Sequence, residues 1–351
     1  MIRCRCSTTT QFDQDSRSND EACDAVIITR TPFRISLGGG GTDLPSYSDR
    51  FGGMVISAAI NRYMFISINK SFGDDYLLKY SHLERAKAIS DIEHPIIREA
   101  LQRYYLAPGI EVVSVADIPS GTGLGTSGSF TVGLLRALSA LRRDFATAHS
   151  LALEACDIEI GSLGRPVGKQ DQFIAAYGGV AVMEFRPDGS VEVNPLRMTS
   201  EALTQLESNL VMFFTGYSRD ADLILDEQKS KSEDNDPSMI ENLHTMKELG
   251  DEVKVALESG NVDVFGEIMN RHWTHKKERS TAMTNPLIDR YYELALTHGA
   301  IGGKLVGAGA GGFLLFYTRQ HTELRAAMAA EGLPEVPFGF DFEGTTVLVR
   351  D

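Results

Sequence analysis

The segment Pro119-Ser-Gly-Thr-Gly-Leu-Gly-Thr-Ser-Gly-Ser129 interleaves glycine with small hydroxyl residues. A β-branched run, Ile110 to Ala116, precedes it, and an apolar stretch from about Ser127 to Leu141 follows. The segment therefore reads as a strand-to-helix loop. In such a loop successive backbone N–H groups converge on one anion, and the helix behind adds the positive end of its dipole. Glycine keeps side chains away from phosphate oxygens and supplies positive φ values. The hydroxyls of Thr126, Ser127 and Ser129 suit a helix cap or a magnesium ligand. No Gly-Lys-Ser/Thr follows at Walker spacing, and the pattern is not a dinucleotide fingerprint. Taken alone, the segment is equally a flexible surface loop before a capped helix.

Three further groupings have the same double character. Thr29-Arg-Thr-Pro-Phe-Arg-Ile-Ser-Leu-Gly-Gly-Gly-Gly-Thr-Asp43 runs a strand into four glycines and an acid. A carboxylate there suits sugar hydroxyls; the plain alternative is a tight turn with Thr42 or Asp43 capping a helix. Lys304-Leu-Val-Gly-Ala-Gly-Ala-Gly-Gly-Phe313 is either a backbone contact surface or a glycine-rich entry that lets two backbones pack closely. Glu159 and Asp171 flank Gly161-Ser-Leu-Gly-Arg-Pro-Val-Gly-Lys-Gln, which places Arg165 and Lys169 between two acids. Single carboxylates are usually solvated surface groups. Phosphoryl transfer, however, needs a carboxylate on magnesium, cations on the moving phosphate and a group that orients the attacking hydroxyl. This segment offers each.

Together these segments resemble the three signatures of the GHMP kinases, in the family's order, from residue 29 to 313. The loop matches Pro-x-x-x-Gly-Leu-Gly-[Ser/Thr]-Ser-x-Ser, with Thr126 and Gly128 where Ser and Ala are more usual. The resemblance implies that Pro119, Ser120, Gly121, Thr122, Gly123, Leu124, Gly125, Thr126, Ser127, Gly128 and Ser129 wrap the phosphates of ATP. It implies Ser127 and Glu159 as magnesium ligands, and Asp171 as base or orienting group, with Lys169 beside it. Arg34, Gly39, Gly40, Gly41, Thr42 and Asp43 are the implied acceptor site, with Gly307, Gly309 and Gly311 contacting phosphate or acceptor. The interval from Glu159 to Asp171 is one residue longer than in mevalonate kinase. Gly168-Lys-Gln-Asp-Gln-Phe and the later Gly178-Gly179 resemble the heptose 7-phosphate kinase branch, as does Thr-Pro-x-Arg-x-x-x-Gly-Gly-Gly-Thr-Asp.

That branch implies transfer to the anomeric oxygen of D-glycero-D-manno-heptose 7-phosphate, giving a 1,7-bisphosphate for nucleotide-activated heptose used in surface polysaccharide. A phosphorylated acceptor needs cations away from the triphosphate. Arg30, Arg34, Arg165, Arg219, Lys229, Lys231, Lys276, Lys277 and Arg279 are the candidates. Lys276 and Arg279, three apart and so on one helical face, are the pair chosen. They lie in Trp273-Thr-His-Lys-Lys-Glu-Arg-Ser, which resembles the branch's helix facing the active site. His272, His275 and His298 show no ligand-like partners and are read as structural. The rivals are a kinase for unphosphorylated fucose or galactose, a GHMP decarboxylase, and a non-catalytic sensor on the same fold.

The elements that must position these residues divide the chain. Residues 1–24, rich in Thr, Ser, Asp, Asn and Gln, lack apolar periodicity and are expected to be a disordered tail. Residues 25–195 mix strands and helices and read as the ATP-binding domain; residues 196–351 are mostly helical in pattern. The resemblance implies two α+β domains, the first with a left-handed β-α-β crossover and the second ferredoxin-like. A net charge of −14 argues against a general nucleic-acid binder, whose affinity comes from cations. No apolar run has membrane-spanning length. Cys4, Cys6, Cys23 and Cys156 are read as reduced thiols of a cytoplasmic protein. The expected partner is a small-molecule sugar phosphate; a homodimer is left open.

Overall fold

The computed structural model describes residues 26–216, 221–309 and 311–350. The expected tail, with Cys4, Cys6 and Cys23, lies outside the described residues, as do Arg219 and Ala310. The order is β1 (Ile27–Gly38), α1 (Pro45–Phe51), β2 (Gly53–Lys70), β3 (Tyr76–Lys79), β4 (Leu83–Ala86), α2 (Pro95–Arg103), β5 (Ile110–Ala116) and α3 (Thr126–Leu141). Next come α4 (Ala148–Cys156), α5 (Gln170–Tyr177), β6 (Val180–Phe185), β7 (Val191–Pro195), α6 (Ser200–Asn209) and β8 (Leu210–Phe214). The chain continues through α7 (Ala221–Glu233), α8 (Pro237–Glu258), α9 (Val262–Lys277), α10 (Pro286–Thr297) and β9 (Ala300–Leu305). It closes with β10 (Phe313–Thr318), α11 (His321–Ala330) and β11 (Thr346–Arg350).

An eight-stranded sheet follows the path β11-β1-β2-β5-β3-β4, with β6 and β7 joined to β2. The stretches 57–60 and 63–69 are both parts of β2. Its hydrogen bonds to β1 continue past the polar Asn61-Arg62 step through a register shift at Pro32/Phe33. β6 pairs with the first part of β2 and β5 with the last, so one strand carries two neighbours on the same side. α3 is buried over most of its surface and lies on β1 and β2, as its nearly continuous apolar sequence requires. A Cβ at Gly133 would stand 2.7 Å from Thr31 Oγ1, and Thr29 Oγ1 donates to Gly133 O at 3.0 Å. That contact fixes the helix whose first turn carries the glycine loop.

The second sheet, β8-β10-β9, is antiparallel. Its outer edge beside β8 is continued by residues 334–336, where Phe214 N donates to Pro334 O and Val336 N to Met212 O. This gives the ferredoxin-like pattern a short fourth position. The final strand, β11, instead pairs with β1 in the first sheet. The preceding residues 339–341 also bond to β2, where Asn61 N donates to Gly339 O and Asp341 N to Ala59 O, so we propose a first unit of residues 26–195 plus 339–350 and a second of 196–338. α9 packs on β9, where a Cβ at Gly302 would lie 2.0 Å from Gly266 O. β4 is a four-residue edge strand with little sequence signal, and α6 opens at a Thr199 cap, whose Oγ1 accepts from Ala202 N. Among the described residues no helix is long and apolar enough to cross a membrane.

Candidate active site

Gly121, Gly123, Gly125, Thr126 and Ser127 line a cavity of about 270 Å³ between the two sheets. The three glycines have φ of 75°, 89° and 75°, the left-handed region where a side chain is strained. Close packing uses the third glycine segment as well. A Cβ at Gly123 would fall 2.5 Å from Val306 O, and one at Gly312 would fall 2.1 Å from Thr122 O. Two glycine-rich backbones thus lie directly on each other, the plainer of the two roles read from residues 304–313. Gly307 reaches the cavity, whereas Gly309 and Gly311 do not line it, and Gly309 lies against Met283. Pro119, Ser120, Thr122, Leu124, Gly128 and Ser129 also stay out of the lining. Several of these build the loop: Thr122 Oγ1 donates to Pro119 O, Ser129 Oγ to Pro32 O, and Leu124 O accepts from Arg34 N.

Asp171 stands in the first turn of α5 and faces the loop. Its Oδ1 accepts from Arg34 Nε at 2.7 Å, and the same guanidinium donates to Gly123 O. Arg34 and Asp171 both line the cavity, and the Asp171 side chain is 25% exposed, open enough to meet a substrate. Gly125 and Gly128 permit this approach. A Cβ at Gly128 would sit 2.7 Å from Asp171 Cβ, and one at Gly125 3.1 Å from Asp171 Cγ.

Glu159 sits in a π-helical turn, residues 157–162, that continues α4. This wider turn coincides with the longer interval to Asp171 and turns Glu159 fully inward. Its carboxylate accepts from Ser127 Oγ, Thr131 Oγ1 (3.0 Å), Gln172 Nε2 (2.9 Å) and Arg165 (2.9 Å). Burial pushes its pKa up, and the Ser127 bond, the Arg165 charge and the bonds from Gln172 and Thr131 oppose that. Ser127 lines the cavity, and Glu159, fully buried and absent from the lining, stands directly behind it as a second oxygen donor. That set suits magnesium, which takes one or two protein ligands and completes its shell with water and phosphate. Arg165 is bonded to both residues and is the cation now at this position. Among the described residues no group of three or more His, Cys, Asp or Glu is arranged for a metal.

Lys169 departs from its expected place. As N-cap of α5 it sends its ammonium toward Asp49 on α1, 3.9 Å away, and it does not line the cavity. Arg165, not Lys169, brings the charge of this loop into the site. In the acceptor turn Gly40, Gly41 and Asp43 line the cavity, but Gly39 and Thr42 do not. A Cβ at Gly39 would stand 1.9 Å from Met54 O, and Thr42 Oγ1 is bonded to Gly39 O and Met54 O, so these two pin the turn. Asp43 accepts from the N–H groups of Gln170 and Gly41 at 3.1 Å. Burial raises its pKa, opposed by the Gln170 N–H and reinforced by the Asp171 charge.

The second unit supplies the opposite wall. Lys276 donates to Leu305 O (2.9 Å) and Gly307 O. Arg279 donates to Asn242 Oδ1 (2.9 Å) and Gly40 O (3.0 Å), and Lys304 to Leu37 O (3.2 Å). All three are buried and line the cavity. Burial and the neighbouring Arg34 and Arg279 bring Lys304 down to about 7. Burial brings Arg279 to about 10 and holds Lys276 well below the usual lysine range. Lys277, Lys231 and Arg30 are engaged elsewhere, by Asp289, Glu227 and Glu343. The sequence reading omitted Lys304, Gln170, Gln228 and Ser36 from the site and assigned His272 a structural role; all five line the cavity. His272 carried a signal, since it lies four residues before Lys276 on the same helical face.

The family model described as GHMP kinases N terminal domain matches residues 76–179, and that described as GHMP kinases C terminal matches 253–333. The D-glycero-alpha-D-manno-heptose 7-phosphate kinase of Campylobacter jejuni is 32% identical over 334 residues, covering 91% of this chain and 98% of that protein. The chain belongs to the GHMP kinases. Among solved structures, a D-glycero-D-manno-heptose 1-phosphate kinase from Bacteroides thetaiotaomicron aligns at TM-score 0.74 with 27% identity, covering 92% of this GHMP kinase and 98% of that chain. Lactococcus lactis galactokinase, complexed with galactose, aligns at 0.71 with 18% identity over 92% and 95% of the two chains, a likeness of fold. GHMP kinases take ATP as phosphate donor, typically with Mg²⁺.

Proposed function

We propose that this GHMP kinase transfers the γ-phosphoryl group of ATP to the anomeric hydroxyl of D-glycero-D-manno-heptose 7-phosphate, yielding the 1,7-bisphosphate. One observation carries the reading. The cavity holds two cationic groupings, Arg34 with Arg165 at the glycine loop and Lys276, Arg279 and Lys304 on the opposite wall. The first is tied to Asp171 and Glu159, whereas the second ends on carbonyl and amide oxygens and forms no ion pair among the described residues. One anionic substrate does not account for both. A phosphorylated acceptor beside ATP does. The names of the two heptose kinases support the sugar, and they place its phosphate at different carbons.

In this reading the backbone N–H groups of residues 121–127 hold the triphosphate, aided by the α3 dipole. Asp171 accepts the proton of the attacking hydroxyl, and Arg34 keeps the carboxylate turned toward it. Asp43 and the backbone of Gly40 and Gly41 hold sugar hydroxyls. Ser127 and Glu159 would hold magnesium, which when bound neutralises charge on the β- and γ-phosphates. A cytoplasmic site of action belongs to the same proposal, since ATP is the donor. A kinase for an unphosphorylated sugar leaves the second cation group without a role, and a sensor leaves Asp171 without one. ADP release over a panel of phosphorylated and free sugars, with ³¹P NMR of the product, tests the reading. A new anomeric phosphate beside a retained sugar phosphate is expected, and a newly added phosphate on any other carbon overturns the reading.

A further inference from the structure

His272 is 2% exposed, lines the cavity from α9, and has no hydrogen-bond partner on either ring nitrogen. Ser36, on β1, has an unpartnered buried Oγ and lines the same cavity. Buried polar atoms without partners call for a ligand, and these two face one space. Around His272 stand Lys304, Arg279 and Lys276. A neutral ligand could satisfy an imidazole and a hydroxyl, but it would leave these cations uncompensated. A dianion satisfies all of them.

We propose that His272, Lys304 and Ser36 join Lys276 and Arg279 in one subsite for the acceptor's existing phosphate, and that this phosphate enters together with a proton from solvent. The inference rests on the phosphorylated-acceptor reading above. The groups facing Lys304 are Arg34 from β1, Arg279 beyond the end of α9, and His272 and Lys276 on α9. Asp43, in the glycine turn, acts on Arg279, and Asp171 is taken up by Arg34. α7 contributes the neutral Gln228, while Glu227 is engaged by Lys231 and Ser280. The surroundings of Lys304 are thus mainly positive and buried, which accounts for its low value of about 7. A phosphate monoester is a dianion above about pH 6. Its arrival favours the charged ammonium, so a proton is taken up. By linkage, affinity is greatest between about pH 6, where the phosphate becomes a dianion, and about 7, the value for empty Lys304, and it falls as pH rises beyond that.

Calorimetry on the full chain tests this. D-glycero-D-manno-heptose 7-phosphate is titrated into the wild-type protein at about pH 8, in two buffers of different ionisation enthalpy. A buffer-dependent enthalpy showing proton uptake is expected, and the unphosphorylated heptose should show none. His272→Gln and Lys304→Met should each weaken sugar-phosphate binding by about tenfold, as for loss of one charge-assisted contact, with ATP affinity unchanged. The wild-type buffer dependence stands even if one variant fails to fold. Absence of proton uptake, or undiminished affinity in both folded variants, overturns the subsite and leaves the kinase reading intact. Failure of the wild-type protein to bind or turn over any sugar phosphate overturns both.

Discussion

Arg34 Nε donates to Asp171 Oδ1 at 2.7 Å, joining the strand that enters the acceptor turn to the first turn of α5. The same guanidinium reaches Gly123 O in the glycine loop. One side chain therefore registers the nucleotide loop, the acceptor turn and the carboxylate assigned as base.

Asp171→Asn keeps the shape of the side chain and removes its capacity to accept a proton. kcat should fall by about 10²–10⁴, the usual cost of losing a general base. ATP affinity, measured by direct titration, should stay unchanged because the loop amides are intact. Near-normal kcat would remove Asp171 from the mechanism.

Gly125→Ala tests the packing that lets Asp171 approach. The residue has φ of 75°, and a Cβ would stand 3.1 Å from both Asp171 Cγ and Arg34 Cγ. The left-handed conformation alone costs a side chain about 1–2 kcal/mol. A lowered melting temperature together with reduced kcat is expected. Loss of stability with kcat intact would show that the Arg34–Asp171 geometry tolerates the displacement.

Ser127→Ala and Glu159→Gln address the metal. Both should raise the magnesium concentration needed for half-maximal rate, and Glu159→Gln more so, because it removes charge as well as a ligand. Identical magnesium curves for both variants and the wild type would place the ion elsewhere.

Much of the site is legible in the sequence where chemistry and backbone requirement coincide locally. The glycines at 121, 123 and 125 are needed both for positive φ and for phosphate approach, so composition alone marks them. Asp171 and Glu159 stand out because they flank a cationic, glycine-rich loop. Direction within that loop is not local. Lys169 and Arg165 look alike in sequence, and the fold sets Lys169 near Asp49 on α1 and Arg165 against Glu159. Lys304 and His272 meet through the packing of β9 against α9, which no short window of sequence records. The pairing of β11 with β1 escapes for the same reason, and the continuity of β2 is hidden because Asn61-Arg62 interrupts an apolar pattern that the hydrogen-bond ladder ignores.

Lys304 also makes a prediction about stability. Burial brings its pKa in the ligand-free folded chain down to about 7 from the ordinary lysine value of 10.5, so between those limits the unfolded state binds more protons. Stability from this group therefore rises with pH across that window and is lowest below it. Lys304→Met removes the cost of the buried charge and should raise the melting temperature of the ligand-free protein. The gain should be greatest below about pH 7 and shrink toward the alkaline side. Melting curves across pH for the two proteins check this; a pH-independent difference would mean that Lys304 stays fully charged.

The second cation group makes the sharpest kinetic prediction. Replacing Lys276 and Arg279 together by Met should raise KM for the sugar phosphate strongly and leave KM for ATP within a few-fold. Each charge-assisted contact is worth roughly 1.5–3 kcal/mol, or about ten- to hundred-fold. An unchanged KM for the sugar phosphate would transfer the phosphate to other cations, Arg34 first.

The most direct test compares kcat/KM of the wild-type enzyme for D-glycero-D-manno-heptose 7-phosphate and for the same heptose without phosphate. A preference for the phosphorylated sugar of about a hundredfold or more is expected, since at least two charge-assisted contacts depend on that phosphate. Equal kcat/KM for the two sugars would contradict it.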